Sequence, residues 1–297
     1  MCILKKTASC GGGGFFIDAR QLTVDNLMKV PYLMNMIQCS VSGDFEGGYI
    51  MNTMIGRNFM EYTRFEHLAP TDQMKGLPQP PLELPFDRSW KIVSLPDPKT
   101  VNIEPVTVKD AIMRRESIRS YADTPLSLGE LSFILWCTQG VKDVIEGSAT
   151  FRTVPSAGAR HAFETWLLVN NVRDLEAGLY RYSALRHVLG FITSADTCAD
   201  RLLEGCMNQR FLLSGAAMFI WTAVTARMTW RYGDRGYRYL HLDAGHVCQN
   251  LYLAAETIGC GACAVGAFYD EIMNAVLGID GVEQFVIYLA GLGKKKG

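Results

Sequence analysis

The chain has almost no excess of charge of either sign: 29 Lys and Arg against 30 Asp and Glu, a formal net charge of -1. That balance excludes a nucleic-acid or anionic-membrane partner drawn in by global charge, so any anion site must be built locally. No apolar run reaches the ~18 residues of a membrane span. The longest, residues 211–226, is broken by Ser214 and Gly215 and reads as a loop followed by a buried strand. No apolar stretch separates Lys5 and Lys6 from the lipobox-like Thr7-Ala8-Ser9-Cys10, so secretion is not expected. No Gly-x-Gly-x-x-Gly stands between a strand and a helix, which argues against a dedicated dinucleotide domain. The five histidines, His67, His161, His187, His241 and His246, are scattered. No second ligand pair accompanies Cys260 and Cys263 at zinc spacing, and no metal is expected. The nine cysteines are odd in number and irregular in spacing, which fits reduced thiols and a cytoplasmic location. No internal repeat is present. What remains is 297 residues, 48% apolar, enough for a substantial core.

Three segments differ in texture. Residues 1–50 carry Gly11, Gly12, Gly13 and Gly14, scattered methionines and no sustained period. A purine-rich stretch can encode Glu46-Gly47-Gly48 and would resemble a ribosome-binding site just ahead of Met51. Translation is therefore expected to start at Met51 or Met54, the alternative being a disordered or docking arm. Residues 51–105 contain Pro78, Pro80, Pro81, Pro85, Pro96, Pro98 and Pro105, and read as an extended segment that wraps the domain after it. Residues 106–297 mix strand and helix signals along one span and read as one α+β domain.

Within that domain, Thr107 with Asp110 and Ser127 with Glu130 are spaced as capping boxes, the second flanked by a Leu126 to Leu131 staple. The second helix is expected to bury Leu128, Leu131, Ile134 and Leu135 and to end near Gly140. Residues 164–169 and 218–224 have strand composition. Residues 241–258 form the longest helical stretch, 270–277 a short helix, and 284–290 a final strand.

Three patches carry candidate chemistry. Arg114, Arg115 and Arg119 surround Ser117 at a helix exit, and bidentate guanidinium geometry suits a phosphate. A solvated basic helix end is the plainer explanation. Residues 152–160 hold Pro155, Ser156, Ala157 and Gly158, small enough to form a shelf for a flat ligand or simply a turn before a strand. Residues 259–268 are rich in small side chains and are followed by Lys294, Lys295 and Lys296, either a phosphate clamp or a solvated tail.

In combination and order, Arg114 to Tyr121, Arg152 to Ala159, Gly178-Leu179-Tyr180-Arg181-Tyr182 and Tyr237 to His246 resemble the nitroreductase family, in its SagB-type dehydrogenase branch. The resemblance implies a mostly antiparallel sheet flanked by helices, a homodimer, and one FMN at each subunit interface. It places the FMN phosphate on Arg115 and Ser117, completed by Lys294 and Lys295, and the N1/C2 edge of the ring on Arg119. It puts Pro155, Ser156 and Ala157 on the ring from the partner subunit, and the amides of Gly266 and Ala267 near N5 and O4. It also implies ping-pong turnover with a small-molecule substrate. Two departures stand out. Ala162 replaces a proline common in relatives, and Arg231-Tyr232 stands where azoline-oxidising relatives use Lys-Tyr. A guanidinium does not surrender its proton as a desolvated lysine does. NAD(P)H-dependent reduction of a small electrophile is therefore favoured over oxidation of an azoline-like peptide, with Arg231 and Tyr232 the candidate catalytic pair. A flavin-binding protein without turnover is the alternative of another class. Cys260-Gly261-Ala262-Cys263 follows a helix end, unlike a thioredoxin pair, and reads as packing.

Overall fold

A computed structural model describes residues 50–297 except 104 and 146. The expectations for residues 1–49 lie outside the described residues. Residues 58–297 form one compact unit, and α1 (Ile50–Tyr62) runs across its N-terminal boundary.

Two apolar runs make the centre. β4 (Phe163–Val169) and β7 (Ala217–Val224) pair antiparallel, with Trp166 opposite Ile220 and Leu167 opposite Phe219. Side chains alternate across a strand. Phe163, Leu167, Val169, Phe219, Trp221 and Ala223 therefore enter one apolar layer, and Trp166, Leu168, Met218 and Ile220 the other. Both faces are covered, so these strands show no polar alternation.

Around this pair the sheet has seven strands in the order β1 (Lys91–Ser94), β6 (Val188–Ser194), β5 (Gly178–Ser183), β4, β7, β9 (Gln284–Lys294) and β8 (Cys260–Val265). Every neighbouring pair is antiparallel. One face is covered by α3 (Leu128–Gln139) and α7 (Gly236–Glu256), the other by α4 (Ala195–Gly205) and α8 (Asp270–Leu277). A hairpin of β2 (Val141–Ile145) and β3 (Ala149–Arg152) forms its own two-stranded sheet. The fold is thus α+β, a mostly antiparallel sheet flanked by helices.

Both caps form. Thr107 caps α2 (Val108–Arg114) by accepting from the Asp110 amide. Ser127 and Glu130 make the reciprocal pair of bonds that starts α3. Leu128 is only half-buried, because the helix turns Leu131, Ile134 and Leu135 to the core and leaves its first residue at the rim. The apolar run 211–226 is a short helix, α5 (Phe211–Ser214), then β7, and it passes directly into a further helix, α6 (Thr225–Tyr232). The last strand extends to Lys294, past Ala290, because β8 and β7 pair on either side of it.

The proline-rich segment is tied down by buried charge. Arg227 forms an ion pair with Glu164, both side chains almost fully buried, and its Nε donates to Pro81 O at 2.8 Å. Glu164 also accepts the Leu84 amide at 2.8 Å, and Arg181 donates to Leu84 O at 2.8 Å with its guanidinium over the neighbouring rings of Phe86 and Trp90. Glu83 accepts the Ser183 hydroxyl and the Ala184 amide. Removing one member of a buried pair strands the other charge in a medium that cannot solvate it, at a cost of about 3–5 kcal/mol. Arg227→Met should therefore lower stability by about that amount in urea unfolding, and adding Glu164→Gln should recover part of the loss.

Candidate functional site

The first patch leaves α2 and attaches to the end of the sheet. Arg115 caps the helix, its amide still bonded to Ala111 O. Ser117 then bridges Ala262 on β8, with the Ile118 amide donating to Ala262 O at 2.9 Å. Tyr121 pairs with Lys295, and the Ala122 amide donates to Lys294 O at 2.9 Å. Two glycines of the C-terminal patch make room for this. A Cβ on Gly261 would lie 2.5 Å from Ile118 Cγ1, and one on Gly293 would lie 2.7 Å from Tyr121 Cγ. At these two positions the small residues admit protein side chains.

Arg115 lies over the Tyr252 ring, 5.4 Å from its centroid, and Arg119 lies 6.0 Å from the centroid of Phe211. Tyr252, from α7, brings its Oη to 3.1 Å from Ser117 Oγ and accepts the Ala264 amide at 2.8 Å. The Arg119 charge reaches the Cys263 thiol, whose burial nevertheless raises it. Among the described residues, neither Arg115 nor Arg119 has a carboxylate partner. Both C-terminal lysines do: Lys294 pairs with Glu130 and donates to Ile258 O at 2.7 Å, and Lys295 reaches both Glu256 oxygens at 2.7 Å. Burial pushes the Glu130 carboxyl up, but Lys294 and the Ser127 amide outweigh it and hold it below the usual range.

The second patch sits elsewhere along α7. The Ala157 amide donates to Asp243, 3.2 Å from Oδ1, and Ser156 Oγ accepts the His161 amide at 2.9 Å. Asp243 is 4% exposed. Burial raises its carboxyl above the usual range, opposed by bonds from Ser156 and Ala157. Gly158 adopts φ +57°, where a Cβ would meet Tyr232 Oη at 2.5 Å and Arg231 Cδ at 3.1 Å. Arg231 and Tyr232 thus pack on the shelf itself. Tyr232 ends a helix, not a strand as its position after an apolar run suggests, and its ring meets Tyr239 edge-on at 4.8 Å. Asp243 and Tyr252 are nine residues apart on α7, about 13 Å along the axis. Pro155, Ser156 and Ala157 therefore belong to a different stretch of that helix from the arginines.

Gly266 lines a cavity of about 500 Å³ with His241, Gly245, Phe268, Asp270, Phe285 and Tyr288. Ala267 O accepts from Gln209 at 2.9 Å. Burial, then Cys248 and Tyr252, push the Tyr288 hydroxyl up to about 12, so this ring joins the cavity to the Tyr252 cluster. A larger hollow of about 900 Å³, between the β2–β3 hairpin and His187, contains none of these residues and is walled by mixed charge from Asp97, Lys99, Lys142, Asp143 and Arg186.

Cys260 and Cys263 both lie on β8. Three residues of strand span about 10 Å and turn the two side chains to opposite faces, too far for a disulfide, which needs Cα atoms within about 7 Å. Burial pushes Cys260 up to about 12, as befits a packing thiol. Among the described residues no group of His, Cys, Asp and Glu could hold a metal, and no helix is long and apolar enough to cross a membrane.

The Nitroreductase family pattern matches residues 112–294, and the chain belongs to that family of oxidoreductases. It is 37% identical over 203 residues to a Methanocaldococcus jannaschii protein provisionally named a nitroreductase, a match covering 68% of this chain and 96% of that one. It is 32% identical over 164 residues to the trifolitoxin-processing protein TfxB of Rhizobium leguminosarum bv. trifolii, covering 52% and 44%. The crystal structure of an Anabaena variabilis protein, also provisionally named a nitroreductase, superimposes with a TM-score of 0.58 at 30% identity, covering 70% and 42%. The chain thus spans less than half the length of the last two.

Sequence reasoning passed over Asp243 and Tyr252 as site residues. Asp243 had a readable signal, an acid beside Leu240, Ala244 and Val247 on the buried stripe of a helix. Tyr252 had none, since an aromatic residue at that spacing reads as core.

His161 gives the shelf a measurable signature. Burial, then the Arg152 charge, lower its imidazole from 6.5 to about 3. On acidification below pH 6.5 the unfolded chain binds a proton that the folded chain refuses until about pH 3. This site therefore removes up to about 1.4 kcal/mol of stability per pH unit across that window. His161→Asn keeps a residue type that tolerates the local φ of 44°. Urea unfolding at about pH 7 and about pH 4.5 should show the variant losing less stability than wild type; equal losses would place this imidazole in contact with water.

Proposed function

We propose that the protein is an FMN-dependent oxidoreductase that reduces a small electrophilic substrate at the expense of NAD(P)H. The observation that carries this reading is the pair of guanidinium groups, Arg115 and Arg119, held with the Ser117 hydroxyl at the edge of the sheet without a carboxylate to neutralise them. In a charge-balanced protein, two guanidiniums and a hydroxyl carried on one five-residue stretch, with no carboxylate partner among the described residues, make a place for an anion. The donor set suits a flavin mononucleotide: Arg115 and Ser117 would hold the phosphate, Arg119 would serve the N1/C2 edge of the ring, and the amides of Gly266 and Ala267 would serve N5 and O4. Lys294 and Lys295 already pair with Glu130 and Glu256, so at the phosphate site they would have to share their charge with those carboxylates.

Bound FMN would supply reversible hydride chemistry, which two substrates would use in turn at one place, as ping-pong turnover. The chain's own residues prepare the setting. A fixed guanidinium at Arg119 stabilises negative charge near N1 without having to reorganise. Pro155, Ser156 and Ala157 line the ring from a partner copy in a homodimer, which accommodates their distance along α7 from Tyr252 within one chain. Asp243 holds the Ala157 amide and keeps that shelf in shape. Arg231 and Tyr232 lie against Gly158 on the same shelf, where Tyr232 can position or protonate substrate and Arg231 stands in place of the lysine that azoline oxidation would use as a base. That replacement supports reduction. The likeness to TfxB supports the second reading, oxidation of a peptidic substrate, for which Arg231 would have to act by charge alone.

Purified protein should take up FMN and be bleached by NADH or NADPH, with colour restored by a nitroaromatic or quinone acceptor. A protein that binds FMN but stays oxidised with both nucleotides would be a flavin binder without turnover. Arg119→Ala should keep the fold by circular dichroism and lose about ten-fold or more in FMN affinity; unchanged affinity together with an unchanged reduction rate in stopped flow would place the ring elsewhere.

A further inference from the structure

Tyr252 joins Arg115 and Ser117 of the proposed phosphate site, and its hydrogen bonds have a direction. Its Oη accepts the Ala264 amide at 2.8 Å, so one lone pair is used by a donor that cannot reverse. The remaining partner is Ser117 Oγ at 3.1 Å. Of the two hydroxyls the phenol is the more acidic type and the better donor, and the Arg115 guanidinium lies over its ring, 5.4 Å from the centroid. The phenol proton therefore goes to Ser117 Oγ. Ser117 is held by its bridge to Ala262 and is exposed. Among the described residues its hydroxyl has no other partner. With its oxygen accepting from Tyr252, its own proton is left free for a ligand, two residues along the chain from Arg115.

We infer that Tyr252 is a positioning residue that polarises Ser117 and fixes its hydroxyl as a hydrogen-bond donor to the phosphate group of the flavin nucleotide. The inference rests on the FMN reading above and goes beyond it: the serine is a directed donor because a tyrosine on α7, 135 residues along the chain, occupies its acceptor side. The phosphate then receives an oriented hydroxyl together with a guanidinium, with no reorientation on binding.

Riboflavin shares the ring and ribityl chain of FMN but has no phosphate, and the comparison between the two separates direction from mere packing. In fluorescence titrations of the flavin-stripped full-length protein, Tyr252→Phe should weaken FMN binding about five- to ten-fold and riboflavin binding less than about two-fold. Ser117→Ala should do the same, and the double variant should be no weaker than either single one, because the two hydroxyls act as one unit. If Tyr252→Phe also disturbs β8 by leaving the Ala264 amide without its acceptor, both flavins will weaken, and the excess of FMN loss over riboflavin loss decides: the inference expects an excess in Tyr252→Phe that disappears on a Ser117→Ala background, and no excess, or the same excess on that background, overturns it. Additive losses in the double variant overturn it as well. Wild-type protein that binds neither flavin overturns the FMN reading itself, whereas wild type that binds FMN while Tyr252→Phe binds it equally well overturns only the role of Tyr252.

Discussion

The segment from Ser117 to Ala122 is fastened to the ends of β8 and β9 by backbone bonds to Ala262 and Lys294, and the charged groups around it take their positions from that attachment. Long side chains such as arginine lose considerable rotamer freedom when they bind, so a site made of arginines works best when the backbone that carries them is already fixed. Here the sheet edge provides the fixing. The glycines at 261 and 293 are what permit it, because each leaves the space that Ile118 or Tyr121 fills. The same attachment places Ser117 beside Tyr252 and Arg119 beside the Cys263 strand. A substitution at Gly261 would therefore displace the site without touching any group that meets a ligand.

Much of the fold could be read directly from residue types. Capping chemistry is local, so Thr107, Ser127 and Glu130 announced α2 and α3 before any tertiary contact was known. The central strands were visible because two-sided burial leaves an unbroken apolar run. β5 was harder to see as a strand because Arg181 stands in its middle. That arginine is buried only because Phe86 and Trp90 arrive from far along the chain to stack on it, and no window of sequence contains that information. α6 was hidden for a different reason: the apolar run of β7 continues into it with no capping residue between them, Val224 serving as N-cap without a side-chain bond.

The site was legible to a similar degree. Arg115, Ser117 and Arg119 lie in one short stretch, so a window of sequence shows all three, although their side chains go to different neighbours, Tyr252 and Phe211. The shelf and its neighbours fit no such window. Arg231, Tyr232 and Asp243 meet Gly158 and Ala157 across large separations in sequence, and only packing brings them together. The C-terminal lysines illustrate the opposite hazard. Positive charge at a chain end looks available in a sequence, whereas Glu130 and Glu256 had already claimed it.

The buried charges on the far side of the sheet bear on where this domain begins. The family pattern starts at residue 112, but Arg181, Arg227 and Glu164 complete their bonding with the main chain of Pro81, Leu84 and Pro85. Those backbone atoms act as solvent for ions that water cannot reach. The smallest autonomous length of this polypeptide is accordingly greater than its recognisable ancestry: a piece cut at the edge of the family pattern would contain all the arginines of the proposed flavin site and lack the means to keep its own interior neutralised.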